Sequence, residues 1–358
     1  MNISIFIGGL GTGGAERVVC NLSNFLSQRH NVTIITVGDV TSSYKLNSNV
    51  QHISLNENVN NNHFAVKNIK RIFKLNKIIK NQRQDIFLTF LPVPSFMLLF
   101  FRRKIKVPII VSVRNDPKIE YASKIFNALM RILYPRADGF VFQTEEAKNY
   151  FNIIKIKSSE VIPNPINEEF INQCFTRDRK KKIVAVGRLT QQKNHMLLID
   201  AFAKIADKHS EYKLIIYGEG PLRSELKNRI KELKMEDKIQ LPGNVNNIKD
   251  HIIDATLFVL SSNYEGMPNA LMEAMALGIP VISTDCPCGG PKYLIKNDQN
   301  GLLVPVNDCY QMSAAIEKIL SNNDYARVIG KEASQIAKEL NPKNIYEKWE
   351  KYITDSIK

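Results

Sequence analysis

At 358 residues the chain exceeds what one ordinary hydrophobic core organises and fits two domains of typical size. Its 44% hydrophobic and 23% charged residues exclude extended disorder, and five scattered cysteines exclude a disulfide framework and imply a reducing compartment. The formal charge of +14 is uneven, since residues 1–170 hold 22 Lys and Arg against 12 Asp and Glu; the first half therefore faces something anionic, and charge alone does not separate nucleic acid from anionic lipid.

The run Asn2 to Ile7 lacks a basic leader and passes straight into a glycine-rich turn, which predicts a buried strand and not a signal peptide. Strands are then expected at Val32–Val37, Ile86–Phe90, Pro108–Val113 and Gly139–Phe142, with helices at Glu16–Arg29 and Ile119–Leu133. Between Lys67 and Arg83, seven basic residues and no acidic one are interleaved with Ile69, Ile72, Phe73, Ile78 and Ile79, a basic amphipathic helix suited to an anionic membrane. The run Phe96–Phe101, stopped by Arg102, Arg103 and Lys104, is too short to span a bilayer and reads as an apolar wedge or a buried helix.

The charge run Arg177–Lys182 reads as a solvated segment, after which the pattern restarts. Strands are expected at Ile183–Gly187, Leu214–Tyr217, Ile239–Leu241, Leu257–Leu260, Val281–Ser283 and Leu302–Val304, with helices at Met196–Lys208, Leu222–Leu233 and Asn269–Leu277. The class is α/β, two facing Rossmann-like doubly wound domains, 1–170 and 171–341, with ligands expected at strand carboxyl ends in an interdomain cleft.

Four segments carry chemistry. The first turn, Gly8 to Arg17, lets backbone amides approach an anion, with Gly13 and Gly14 at the helix start. Gly9, Gly11 and Gly14 also satisfy G-x-G-x-x-G with Asp39 after the second strand, so an NAD-dependent dehydrogenase and a plain strand–helix turn stay open. Arg188 and Lys193 put two fixed cations in a strand–helix loop, able to neutralise a diphosphate without a metal, or merely solvated. Gly218-Glu219-Gly220-Pro221 is a similar turn, its structural reading at least as strong. Finally, Ser261 to Gly278 places Glu265 in a loop and Glu273 one turn inside a helix among apolar neighbours. There a carboxylate needs hydrogen-bond donors, such as the vicinal hydroxyls of a ribose, unless it is a structural helix-start carboxylate. Glu265 can meet sugar hydroxyls, and the amides of Gly266, Met267 and Asn269 around Pro268 can hold phosphate oxygens.

Glu265 and Glu273 have the E-x7-E spacing of retaining glycosyltransferases with the GT-B fold, and the chain resembles glycosyltransferase family 4. The resemblance also takes in Gly9 to Arg17, Val161 to Ile166, Gly187-Arg188 with Lys193-Asn194, Gly218 to Pro221, and Asn300 to Val304. It implies an acceptor-binding first domain, a donor-binding second domain and a C-terminal helix, about Lys343–Ile353 within 342–358, returning to the first. Arg188 and Lys193 would bind the donor diphosphate, Glu273 the ribose, and Glu265 with Gly266 to Asn269 the donor sugar and phosphates. Catalysis would rest on Glu265, Arg188 and Lys193, with the departing phosphate taking the acceptor's proton. No cofactor and no metal are implied.

Two departures stand out. Where many members carry a His after the fourth strand, this chain has Ser112 to Asp116, so Arg114 or Asn115 would make that sugar or acceptor contact. Tyr293 replaces a frequent acidic residue in the loop from Cys286, and Cys286 and Cys288 read as loop residues, not metal ligands. The six histidines are not clustered. The expected activity is transfer of a hexose or N-acetylhexosamine from a UDP-sugar to a lipid-linked saccharide or polysaccharide acceptor, in lipopolysaccharide or capsule biosynthesis, by a cytoplasmic enzyme peripheral on the inner face of the membrane. No nucleic acid partner is expected. The alternatives are a nucleotide-sugar epimerase of the same fold, the dehydrogenase and a basic nucleic-acid-binding protein.

Overall fold

The computed structural model describes residues 1–11, 13–38, 44–56, 64–171, 173 and 179–357, the side chains of 64–69 excepted; Asp39 and Cys174 lie outside these. It divides into two compact units, Met1–Pro165 with Lys343–Lys358, and Ile166–Pro342.

The first unit runs β1 (Asn2–Ile7), α1 (Gly14–Leu26), β2 (Asn31–Thr36), β3 (Val50–Ser54), α2 (Phe64–Asn81), β4 (Ile86–Phe90), α3 (Pro92–Phe100), β5 (Ile109–Ser112), α4 (Pro117–Glu120), α5 (Lys124–Leu133), β6 (Gly139–Phe142), α6 (Glu145–Tyr150) and β7 (Ser159–Val161). The second runs β8 (Lys180–Val186), α7 (His195–Ala203), β9 (Lys213–Tyr217), α8 (Arg223–Glu232), β10 (Ile239–Gly243), α9 (Ile248–Ile252), β11 (Ala255–Leu260), α10 (Asn269–Ala276), β12 (Val281–Thr284), α11 (Gly290–Leu294), β13 (Leu302–Val304), α12 (Cys309–Leu320), α13 (Asn323–Ala333) and α14 (Ile336–Glu339). The last helix, α15 (Pro342–Ile357), belongs to the first unit from Lys343 onward.

Both sheets are parallel, ordered β3-β2-β1-β4-β5-β6-β7 and β10-β9-β8-β11-β12-β13. Helices cover both faces, so the central strands read as continuous apolar runs, as in Phe87, Leu88 and Phe90 or Leu257 to Leu260. In each sheet the chain starts at an inner strand, builds outward one way, then returns to build the other way. The resulting switch points lie between β1 and β4 and between β8 and β11, where doubly wound sheets bind ligands.

All the expected strand runs are strands of these sheets. β3 and β7 were not expected: both are short and end-lying, and β3 exposes Gln51 and His52, so neither has a continuous apolar run. The single helix expected over Ile119–Leu133 is two. Asp116 caps α4 by accepting from Lys118 N, and the chain breaks so that Tyr121 turns inward to meet Tyr134, hydroxyl to hydroxyl at 2.7 Å.

The charge run is solvated only in part: Lys180 and Lys181 are exposed, while Arg179 and Lys182 are half-buried. Among its described residues Lys180–Lys182 open β8, Lys180 and Lys182 both pair with Asp254, and Arg179 donates to the carbonyls of Ile253, Ala255, Leu277 and Gly278. Burial holds the Arg179 guanidinium at about 10. It is an anchor that ties the start of β8 to β11 and to the end of α10.

Candidate active site

In the second unit, β8 ends at Val186 and Gly187–Asn194 leads into α7. This loop is shaped by close backbone approaches. A Cβ on Gly218 would stand 2.0 Å from Gly187 O, and one on Gly220 would stand 2.4 Å from Leu189 O. Leu189 N donates to Glu219 O and Leu222 N to Leu189 O. The glycines of Gly218-Glu219-Gly220 therefore let the second strand–helix turn press on the first, the structural reading of that motif. Asn194 takes a left-handed conformation, φ 43°, and its side chain caps α7 at Leu197 N.

The loop is laced to the one after β11. Asn263 donates from its backbone N to Gln192 O at 2.7 Å and from Nδ2 to Gln191 O at 2.7 Å, and Ser261 Oγ donates to Lys193 O at 3.0 Å. Across this seam Lys193 Nζ meets Glu265 Oε1 at 2.5 Å. Ser262 Oγ donates to the same oxygen at 2.6 Å, and Thr284 Oγ1 holds the Ser262 carbonyl. Glu265 and Ser262 are buried, whereas Arg188 is exposed and no hydrogen bond or ion pair engages its guanidinium among the described residues. Thus Lys193, expected beside Arg188 as a diphosphate cation, is also the counter-ion of Glu265. Among the described residues both side-chain donors to Glu265 act on Oε1, which leaves Oε2 for another partner.

The backbone of Glu265 is fixed by the segment after β12. Glu265 N donates to Pro287 O at 2.6 Å and Cys288 N to Glu265 O at 2.9 Å. A Cβ on Gly290 would lie 1.7 Å from Gly266 O. The Cys286–Gly290 loop thus clamps the Glu265–Gly266 turn, and burial, with Glu265 nearby, pushes the Cys286 thiol up to about 12, an inert thiol. Pro268 then starts α10, which has no side-chain cap; Met267 and Glu273 are buried and Asn269 is half-buried. Tyr293 is exposed on α11. Ser262 and the clamp were missed by sequence reasoning; the serine three residues before Glu265 and the Gly-Gly at 289–290 were the available signals.

His195 is buried at the start of α7, and burial, reinforced by the Lys193 charge, holds its imidazole down at about 4, against weak support from the Gly187 and Arg188 backbone. It is a neutral core residue at ordinary pH. His30 meets Glu350, His52 meets Thr36, and His209 and His251 lie against tyrosine rings, so the described histidines are dispersed.

In the first unit, α1 begins at Gly14 with Gly13 as its N-cap, two residues before the expected Glu16, and the place where a Cβ on Gly13 would sit is taken by Glu16, Oε2 at 2.1 Å. The helix start thus holds its own carboxylate. Arg114, at the carboxyl end of β5, is buried between the rings of Phe90 and Trp349, 5.3 and 5.2 Å from their centroids. Its Nη1 donates to Asn164 Oδ1, which also accepts from Gln143, and burial lowers its guanidinium to about 9. Asn115 is half-buried. Arg114 therefore joins β5 to α15 inside the unit, while Asn115 is the more accessible of the pair.

Two family models match the chain: Glycosyltransferase Family 4 over residues 12–170 and Glycosyl transferases group 1 over residues 167–336. A Campylobacter jejuni protein named N-acetylgalactosamine-N,N'-diacetylbacillosaminyl-diphospho-undecaprenol 4-alpha-N-acetylgalactosaminyltransferase is 31% identical over 98% of this chain and 99% of its own. The chain belongs to glycosyltransferase family 4. A second C. jejuni N-acetylgalactosaminyltransferase, whose named acceptor is a longer diphospho-undecaprenol saccharide, is 29% identical over 99% of both chains. Among solved structures, sucrose-phosphate synthase from Thermosynechococcus elongatus superposes with a TM-score of 0.85 at 17% identity over 99% and 98% of the two chains. Anabaena HepE, solved with UDP-glucose, gives 0.82 at 15% over 99% and 100%. The fold of this glycosyltransferase is GT-B, and family membership sets the dehydrogenase and nucleic-acid readings aside. The full-length relatives named here are transferases, which also disfavours the epimerase. No described helix is long and apolar enough to cross a membrane.

Proposed function

We propose that this glycosyltransferase moves an N-acetylhexosamine or hexose from a UDP-sugar to a saccharide carried on a lipid diphosphate, with retention of configuration. Residues 171–341 hold the donor, and residues 1–170 with 342–358 bind the acceptor. The carrying observation is the shared anchoring of Glu265 by Lys193 and Ser262, with Arg188 exposed in the same loop as Lys193 and unengaged among the described residues, at the carboxyl ends of β8 and β11. That arrangement presents one carboxylate oxygen to sugar hydroxyls and a guanidinium fork to a diphosphate. Glu273, buried on α10, takes the ribose, and Gly266, Met267, Pro268 and Asn269 line the phosphate path; in the first unit the candidate ligand contacts are Gly13, Gly14 and Asn115, Arg114 being sealed. The donor's diphosphate would serve as leaving group and proton acceptor, so the protein supplies positioning and charge. The two C. jejuni relatives support UDP-N-acetylgalactosamine as the first donor to try and a polyprenyl diphosphate saccharide as acceptor.

Such an acceptor sits in a membrane, and the basic residues of α2, Lys70, Lys77 and Lys80 exposed among them, support reversible docking on an anionic leaflet, the inner face of a cytoplasmic membrane. The reading is tested by incubating purified protein with UDP-sugars and a short-prenyl diphosphate saccharide. Release of UDP that depends on the acceptor, with an α-linked product and undiminished activity in chelator, is the expected result. Hydrolysis without transfer, or a strict need for a divalent ion, contradicts it.

A further inference from the structure

Resting on that membrane reading, we infer that this protein inserts into the lipid interface through the outer faces of α3 and α5, with the basic residues around them meeting anionic headgroups. The two helices pack side by side: Phe96 of α3 lies against Phe126 of α5, ring centroids 5.6 Å apart, and against Tyr134 at 5.5 Å. Phe96, Leu98 and Leu99 face inward, and so do Met130 and Leu133. The opposite sides are also apolar. On α3, Val93 and Phe100 are exposed with Met97 between them, the i, i+4, i+7 spacing of a stripe. On α5, Ile125, Ala128 and Ile132 make the i, i+3, i+7 equivalent, with Ile125 71% and Ile132 58% exposed and Phe100 at 67%. Phe73 of α2 adds another ring, 69% exposed, and α2 is joined to the loop after α3 by Lys104 Nζ and Asn76 Oδ1.

Isolated apolar side chains on a surface need no explanation, but paired stripes on neighbouring helices mark a surface meant to be covered. Charge identifies the cover. From residue 64 to residue 136 there are 16 Lys and Arg and only Asp85, Asp116 and Glu120 on the other side. Asp116 is buried, Glu120 is half-buried, and Asp85 accepts from the backbone and side chain of Asn2. Arg102 is spent internally on Asp138 and on the Arg136 and Ile105 carbonyls. Arg103, Lys104, Lys106, Lys124 and Arg131 remain exposed around the stripes. A second copy on this face would bring like charges together, whereas an anionic lipid surface accepts apolar wedges and cations at once. The wedge the sequence offered is thereby resolved: Phe96 is core and Phe100 is surface.

The test is flotation of the full chain with phosphatidylcholine vesicles, with and without phosphatidylglycerol, comparing wild type with the triple variant Phe100→Ser, Ile125→Ser, Ile132→Ser. We expect wild type to partition to the anionic vesicles and the triple variant to lose roughly tenfold or more of that partitioning. Transfer to a water-soluble acceptor should be unchanged in the variant. An Ile125→Trp variant, with Trp349 as a buried constant background, should be quenched by brominated anionic lipid. Equal partitioning of the triple variant, an unquenched Trp at 125 in membrane-bound protein, or a wild-type dimer that the triple variant dissolves would each overturn the inference. Failure of the transferase reading is distinct, because it appears as no transfer to soluble acceptor by wild type.

Discussion

The two α/β units share a strand order but treat their polar groups differently at the strand ends. In the second, Glu265 is held by two side chains acting on one oxygen and by two backbone hydrogen bonds to a neighbouring loop, while Arg188, exposed in the loop that carries Lys193, is unengaged among the described residues. In the first, Glu16 fills the mouth of its own helix, and Arg114 is closed between two rings. The same topology thus yields one strand-end region built ahead of its ligand and another whose charges are already satisfied or sealed. Positioned donors and acceptors that need no rearrangement stabilise a transition state most, which is why we propose that the chemistry lies in the second unit.

Glu265→Gln is the strongest test of that assignment. The shape and the Ser262 hydrogen bond can survive, but the charge proposed to face the transferred sugar, which balances Lys193, is gone. Single-turnover transfer should fall about 100- to 1000-fold, with a much smaller change in UDP affinity by calorimetry. Unchanged turnover would remove the contrast between the units.

His195 probes how rigidly the second unit's loop is set. Its folded value of about 4 lies below the ordinary 6.5, so between these values the unfolded chain takes up a proton that the folded chain refuses. The stability it contributes is present above 6.5 and lost as pH falls toward 4, up to about 3 kcal/mol. Denaturant midpoints should fall over that window in wild type, and the part of the fall due to this group should vanish in His195→Gln. An identical pH slope in both proteins would show that the imidazole is not sealed.

Glu273 separates binding from chemistry within the same unit. Assigned to a ribose that does not change in the reaction, Glu273→Gln should weaken UDP binding by roughly 1–3 kcal/mol and leave single-turnover transfer at saturating donor nearly intact. A loss confined to turnover would exchange the roles of the two glutamates.

How far these contrasts were readable before the structure differs by residue. Apolar runs such as Leu257–Leu260 announce buried parallel strands because both faces are covered, and the glutamate pair announces itself by spacing. Ser262 carries no such signal, since a serine at the end of a strand looks like any turn residue until its hydroxyl is seen 2.6 Å from Glu265. Lys180–Lys182 were legible only in part: Lys180 and Lys181 face solvent as their charge suggests, yet the strand they open is tied through Lys180 and Lys182 to Asp254, an acid more than seventy residues away in sequence. Arg114 was singled out as an external contact, and only tertiary packing reveals that Trp349, from the far end of the chain, covers it. Local chemistry was legible; pairing over long sequence separation was not.

The smallest expected effect has the opposite sign in the first unit. Gly13 and Gly14 are proposed to receive donor phosphate at the start of α1, yet Glu16 already places a carboxylate there, where the helix end favours negative charge. Two anions at one helix end repel, so the wild-type turn holds donor less tightly than its backbone alone would. Glu16→Gln should therefore lower thermal stability slightly, by about 0.3–1 kcal/mol, as the helix end loses its charge. UDP affinity should rise a few-fold at low salt, the gain fading as salt screens it. A glutamate-to-glutamine change would then weaken function in one unit and tighten donor binding in the other. Calorimetry of UDP binding at two ionic strengths reads the difference directly. If Glu16→Gln binds UDP no better than wild type at low salt, the donor phosphates do not approach this turn, and Gly13 is there only to admit the Glu16 side chain.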